Sequence, residues 1–345
     1  MSLVFPMYVA GAQGASGSTT VIPGGSSGRG SHQLACVAEC PRKWMLRYIR
    51  RMVPAGEPSF RLIGTLVHLE LSYWYAERMK ETPKWFYATP VDEALAVAGS
   101  GQPDQIELCR QVCAQYTETY SNEPWEPLFV EKEFRARVGD LDPDGPDATL
   151  DDEIVTGRMD LVVKTRVGTQ EYVYIVDHKC TGGGWNKDKL PRWTDENEYR
   201  VPWQSMIYLH LLRHHLKGTG QHVEGFIINR VKRTRNQYGK FDFDRHVLKI
   251  PTEPYNRVPR TVRELVAEER AVKRGLERGE MPRANFFNCF GRWGPCDYTH
   301  LCCASDENQR AALLGLPVPV LQGLTPEEQE VQRLFYPPQT YTTRK

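Results

Sequence analysis

The sequence predicts an α/β fold, on two observations. The first is a pair of strand-like segments, residues 157–164 and 171–179, rich in Val, Ile and Tyr and joined through the polar turn Gly168-Thr169-Gln170-Glu171. The second is the helical spacing of apolar residues in flanking stretches, residues 64–75, 103–121 and from Gln204 onward, with a further strand at Val223 to Val231. A chain of 345 residues can bury a sizeable core, as one large domain or one domain plus an appendage. Its 25% charged and 40% hydrophobic content is ordinary for a globular protein. The net charge of +1 gives no support to nucleic-acid binding, so any such claim rests on local clusters. No apolar run approaches the roughly 18 residues of a membrane span, and no cationic stretch followed by an apolar core marks a secretory signal. The nine cysteines therefore read as metal ligands or buried thiols, not as a disulfide framework.

Residues 1–30 read as a flexible lead-in, Gly/Ser/Thr-rich from residue 11. Order is expected from Ser31, with a helix from Gln33 to Ala38. In residues 40–51, Arg42, Lys43, Arg47, Arg50 and Arg51 could neutralise phosphates while Trp44 or Tyr48 offers a stacking face. An amphipathic helix with a solvated basic face and a core-facing aromatic stripe explains the same residues, and taken alone is the better account. Gly64 and His68 share a helix face one turn apart. His68 matters only if it points at acidic groups, because a neutral imidazole can then complete a metal shell. Cys109 and Cys113, also one turn apart, read as a packed face. Glu131 and Glu133 fall on a strand from Leu128 to Val138, and the acidic loop at 140–153 reads as solvated.

The centre of the reading is the strand pair. Val173, Ile175, Asp177 and Lys179 share one face of an extended segment, so the strand ends by carrying an acid and an amine into an enclosed place. Asp160 on the neighbouring strand falls across from Asp177. Two converging carboxylates repel unless a cation lies between them, and hard divalent ions such as Mg²⁺ take oxygen ligands of this kind. A lysine at the rim could orient or help deprotonate an attacking water. This is hydrolytic equipment suited to phosphodiesters. Residues 181–185 then read as a flexible exit, and 187–200 as polar.

Gln204 and Tyr208 share a helix face one turn apart. Lys232 to Arg235 form a basic cluster at the end of the Val223–Val231 strand, and residues 259–279 a charged amphipathic helix. Cys289, Cys296, Cys302 and Cys303, with Gly and Pro between them, suggest a soft-metal site. Cys40 is the candidate fourth ligand and Cys36 the reserve. The tail, residues 306–345, reads as loosely packed.

Together these residues resemble the PD-(D/E)xK nuclease superfamily, in its RecB-like branch, and most closely the iron–sulfur exonucleases of the CRISPR-associated and phage recombination types. The resemblance covers residues 31–305, read as one nuclease domain. Gly64 and His68 match the family's G-x-x-x-H; Gly157 and Asp160 match G-x-x-D; Asp177 and Lys179 match (D/E)-x-K; Gln204 and Tyr208 match Q-x-x-x-Y. The family's late cysteines follow C-x2-C-x5-C, whereas this chain has Cys289-x6-Cys296-x5-Cys302, which leaves the cluster type open with zinc as the alternative. Cys302 is preferred to Cys303 because it keeps the x5 interval.

The resemblance implies a mixed central β-sheet flanked by helices, a restriction-endonuclease-like core, with N- and C-terminal segments joined at a cysteine cluster. It implies Mg²⁺ or Mn²⁺ held by His68, Asp160, Asp177 and the His178 carbonyl, with Lys179 acting on water or on transition-state charge. Gln204 and Tyr208 would contact DNA or hold Lys179. The implied activity is a metal-dependent DNA exonuclease of recombination, repair or phage DNA processing. Its implied substrate is DNA ends or single strands, with a recombinase or single-strand-binding protein as possible partner and no membrane role. It would work in the cytosol of a bacterial or phage-infected cell. The alternative is a DNA-binding accessory factor that cuts little or nothing.

Overall fold

The computed structural model describes residues 29–54, 59–99, 101–182, 203–248, 250, 252–291, 294–299, 302 and 341–343. The lead-in up to residue 28, most of the exit segment after Gly182, Cys303 and nearly all of the tail lie outside the described residues. The chain divides into two compact units, one of residues 1–31 and 58–263 and the other of residues 32–57 and 264–345.

The first unit holds a five-stranded mixed sheet: β1 (Glu126–Arg137), β2 (Ile154–Val167), β3 (Gln170–Thr181), β4 (Val223–Arg235) and β5 (Phe241–Leu248), paired in that order. All neighbours are antiparallel except β3 and β4, which are parallel. The β2–β3 turn is tight enough to need a left-handed residue, supplied by Gly168 at φ 65°. A parallel neighbour demands a crossover, and the segment between β3 and β4 supplies it, including a helix at Trp203–His215.

Helix α1 (Ser59–Glu77) and helix α2 (Pro103–Thr119) cover one face of the sheet. Ile63, Leu66, Val67, Leu71 and Tyr75 of α1, with Val112 and Tyr116 of α2, share a core with Leu161, Val163, Val176 and Ile227. Each such side chain contributes about 1.5–3 kcal/mol when fully buried. Helix α3 (Trp203–His215) packs on β1, β2 and β4, with the His215 ring edge-on to Phe134. With both faces covered, central strands need no polar alternation, which is why β3 buries both Ile175 and Val176.

Two expectations are corrected in this unit. The acidic loop at 140–153 is not simply solvated. Arg263, 3% exposed along its side chain, donates to Asp142 at 2.9 Å, to Asp151 at 2.7 Å and to the Asp147 carbonyl at 2.6 Å. The basic cluster Lys232 to Arg235 forms the end of β4 itself and is partly neutralised, because Lys232 faces Asp242 at 3.4 Å and the Arg235 guanidinium lies over the Phe241 ring.

In the second unit the Ser31–Glu39 helix leads into a short turn, Pro41–Trp44, followed by a wide turn, Met45–Ile49. Trp44 is 1% exposed and packs with Met45, Leu46, Met52 and Tyr298, so it offers no stacking face to a nucleic acid. Arg42 donates to the Pro282 carbonyl at 3.0 Å and Lys43 to Glu39 at 2.9 Å, which leaves Arg47, Arg50 and Arg51 as the exposed cations of that stretch. The late amphipathic helix begins earlier than expected, at Thr252, and runs to Glu277. Among the described residues no helix is long and apolar enough to cross a membrane.

Gly157 ties the fold to the site. A Cβ added there would stand 2.7 Å from Leu211 Cδ1 and 2.9 Å from Tyr208 Cε1, so only glycine lets α3 rest on β2 at this point. Gly157→Ala is expected to cost about 1–3 kcal/mol by overpacking and to displace Tyr208. Urea unfolding checks this; an unchanged midpoint would show that α3 does not depend on the close approach.

Candidate active site

The β2–β3 register pairs Leu161 with Val176, and the next step along both strands places Asp160 beside Asp177. The His178 backbone amide donates to Asp160 Oδ2 at 2.9 Å, and His68 Nδ1 lies 3.3 Å from the same oxygen. His68 arrives there because α1 crosses β3 closely at Gly64, where a Cβ would lie 3.7 Å from Cys180 Cβ. One helical turn later the imidazole overhangs the strand ends.

Asp177 is 4% exposed, and its Oδ2 lies 2.6 Å from Lys179 Nζ. Burial pushes the Lys179 ammonium down, but the Asp177 and Asp160 carboxylates outweigh it and the lysine holds its proton above the ordinary value. Burial, then the nearby Asp160, keep Asp177 above the usual carboxylate range despite Lys179. Asp160 ends below that range: burial raises it, and the fields of His68, His178 and Lys179 with the His178 amide outweigh the burial.

Tyr208, buried on α3, hydrogen-bonds Gln204 and lies within the fields of both aspartates and of Lys179. Burial pushes its hydroxyl up to about 12, so it remains a donor. The structure thus brings His68, Asp160, Asp177, Lys179, Gln204 and Tyr208 into one neighbourhood.

Glu131, which the sequence placed on a strand without a role, joins them. Its carboxylate converges with His68 and Asp160, with ligand atoms all within 4.8 Å of one another; Asp177 is not one of this trio. Glu131 has φ 49°, a left-handed conformation rare in a strand. Val130 packs in the α1/α2 core, whereas Phe134, four residues on, packs against α3. An unbroken strand would keep both on one face, so the backbone turns over between them, and the local distortion aims Glu131 into the site. Burial, then the Asp160 charge, push its carboxyl up to about 8.

The His178 side chain points into a buried polar network on the α1/α2 side. Asn229 Nδ2 lies 2.6 Å from His178 Nδ1 and 2.8 Å from the Tyr116 hydroxyl. Burial pushes His178 down to about 3, so the ring is neutral and Nδ1 accepts from Asn229. Arg245 donates to the Tyr116 hydroxyl at 3.0 Å and to Glu123 at 2.6 Å, between the rings of Tyr120 and Trp125. Neither Asn229 nor Arg245 carries a local motif that could have marked it.

The cysteines proposed as a cluster lie in the second unit. The Asn285 amide donates to Cys40 Sγ and the Cys296 amide to the Cys289 carbonyl at 2.7 Å. Burial pushes the Cys302 thiol up to about 11, with smaller contributions from Cys40, Cys289 and Cys296, so the other three thiols lie near Cys302. Burial also raises Cys36, to about 12. Among the described residues no three of these sulfurs converge within 4.8 Å.

A parallel-and-antiparallel sheet ending in paired acids beside a lysine defines a class of hydrolytic cores, and sequence comparison identifies the class. The profile of the PD-(D/E)XK nuclease superfamily matches residues 31–303, and the chain belongs to that superfamily. Among curated proteins none matches the sequence. Among solved structures, a protein from Eubacterium rectale assigned as an exonuclease is similar at 12% identity, covering 74% of this chain and 84% of that one with a TM-score of 0.40.

Glu131 gives a pH signature. The folded, metal-free protein keeps its proton up to about pH 8, whereas the unfolded chain releases it near the ordinary value of 4.5. The folded state therefore binds the extra proton between those values, and stability falls as pH rises through that window. Denaturant midpoints measured with chelator should decline toward pH 8 in the wild type and less steeply in Glu131→Gln. Equal slopes would contradict the assigned environment.

Proposed function

We propose that this chain is a Mg²⁺- or Mn²⁺-dependent deoxyribonuclease that hydrolyses DNA phosphodiester bonds from strand ends. The observation that supports it best is the convergence of His68, Glu131 and Asp160 beside the Asp177–Lys179 pair. This donor set, carboxylate oxygens and one imidazole without thiolate, suits a hard divalent ion. Burial first, and then the Asp160 and Asp177 charges, keep Glu131 protonated against the pull of Arg158. His68, Asp160, Asp177 and the His178 carbonyl are the proposed ligands, with Glu131 alongside. A divalent cation held there would supply a more acidic water and a polarised phosphate oxygen.

The remaining steps fall to the side chains. Lys179 stays an ammonium, so it donates hydrogen bonds to the attacking water or to a phosphate oxygen and does not remove a proton. Asp177 fixes the direction of that donor. Charge developing on phosphate oxygens is thereby met by a donor already in place. The Tyr208 hydroxyl, steadied by Gln204, contacts the DNA backbone or holds Lys179. The role we assign is in recombination, repair or phage DNA processing, with DNA ends or single strands as substrate. An accessory, non-cutting role would leave the juxtaposed acids and lysine without a use.

The same reading assigns Cys40, Cys289, Cys296 and Cys302 to an iron–sulfur cluster. Their common neighbourhood within the second unit supports it, and thiolates suit such a cluster.

With Mn²⁺ and end-labelled single- and double-stranded oligonucleotides, Asp177→Ala and Lys179→Ala should each lower cleavage by about 10²-fold or more with far-UV circular dichroism unchanged. Wild-type activity in either variant would remove the catalytic assignment. The same preparations should be brown, containing iron and sulfide that Cys296→Ser loses; stoichiometric zinc instead would overturn the cluster and leave the nuclease reading standing.

A further inference from the structure

A second group of ligand-type side chains lies on α1 and α2, apart from the acids described above. Glu70 of α1 and Cys109 and Cys113 of α2 bring a carboxylate oxygen and two sulfurs within 4.8 Å of one another. The Cys109 thiol donates to Glu70 Oε2 at 3.2 Å. Both cysteines are buried, at 0% and 1% exposure. Simple packing accounts for two core thiols, but not for a carboxylate drawn down to them. A carboxylate leaving water needs strong partners, and Arg110, a nearby cation, is paired with Asp92 at 2.7 Å. Glu70 has the two thiols beside it as polar neighbours.

The group does not sit in a closed core. Glu70 and Cys113 line a cleft of about 350 Å³, together with Tyr73, Trp74, Phe86 and Val91. A fourth ligand can therefore approach the group from the cleft, at Glu70 and Cys113.

We infer that Glu70, Cys109 and Cys113 form a binding site for a soft divalent metal ion, zinc in class, with water from the cleft as the fourth ligand. Tetrahedral zinc, with bonds of about 2.3 Å to sulfur and 2.0–2.2 Å to oxygen, spaces its ligand atoms roughly 3.3–3.8 Å apart. A sulfur and an oxygen on such an ion stand roughly 3.5–3.7 Å apart, so Cys109 Sγ and Glu70 Oε2, at 3.2 Å, need only part slightly to admit it. Two thiolates exclude Mg²⁺ and Ca²⁺ as the favoured occupant. Binding releases the two thiol protons to solvent. The site also has a mechanical consequence. Glu70 lies two residues after His68 on the same helix, roughly 200° around its axis, so an ion tying Glu70 to α2 fixes the rotation of α1 that aims His68. None of this requires the chain to cut DNA.

The test uses the full-length protein under reducing conditions, with Co²⁺ as spectroscopic probe and Zn²⁺ as competitor. Wild-type protein should show thiolate-to-cobalt charge-transfer absorption in the near ultraviolet and tetrahedral bands in the red, abolished by one equivalent of Zn²⁺. Cys113→Ser should lose about half of the charge-transfer intensity, and Glu70→Gln should weaken cobalt affinity at least tenfold while keeping its native circular dichroism. Cys289→Ser should leave this signal intact, which separates it from the thiols of the second unit. No cobalt signal in the wild type, or one unchanged in both Cys113→Ser and Glu70→Gln, would overturn the site. A signal lost in Cys289→Ser but kept in Cys113→Ser would place the metal elsewhere and overturn it equally.

Discussion

The antiparallel register of β2 against β3 is the constraint on which the candidate site depends. With Leu161 opposite Val176, Asp160 must arrive beside Asp177, and the His178 amide closes the arrangement by bonding Asp160. A slip of one residue would turn every side chain of the strand to the other face, removing the acid pair and exchanging the packed layers that Ile175 and Val176 fill. The apolar core and the polar site therefore enforce the same register. That coupling explains why two carboxylates that disfavour each other's charge can be held together: hydrophobic burial along the rest of both strands offsets the electrostatic cost of their ends.

The second support lies under the site. His178, between Asp177 and Lys179 in sequence, faces the opposite way and is anchored by Asn229, which donates to the Tyr116 hydroxyl; Arg245 donates to that hydroxyl and to Glu123. A buried chain of polar groups is stable only when each member has its partner, so this one restricts β3 to a single conformation near its end. The acid and the amine on the working face inherit that rigidity. Above them, the glycine contact at 157 lets α3 lower Tyr208 toward the same spot.

Much of this was legible from short patterns. The strand pair with its Gly168 turn, the helix bearing Gly64 and His68, and the helix bearing Gln204 and Tyr208 follow from local periodicity, and the mixed sheet follows from the family those residues resemble. What escaped the sequence has a common cause. Glu131 sits where strand alternation breaks, so the residue that turns inward looked like one of a run of exposed charges. Arg263 rescues Asp142 from 121 positions away, and Arg245 meets Glu123 from 122, distances at which spacing carries no signal. Trp44 among cations admits a stacking platform or a core-facing stripe, and its packing with Met52 and Tyr298 agrees with the core-facing reading that the sequence favours. The strand Phe241–Leu248 was missed because an edge strand needs only one apolar face, and this one carries Asp242, Asp244, Arg245 and His246.

The central claim is that Asp160, His68 and their neighbours are a cation site and not a set of ion pairs. Titration of chelator-treated protein with Mn²⁺, followed by electron paramagnetic resonance of the free ion, addresses it without any nuclease assay. The account predicts one hard-ion site in the wild type whose affinity falls at least about tenfold in Asp160→Asn. Equal Mn²⁺ affinity in the two proteins would contradict it.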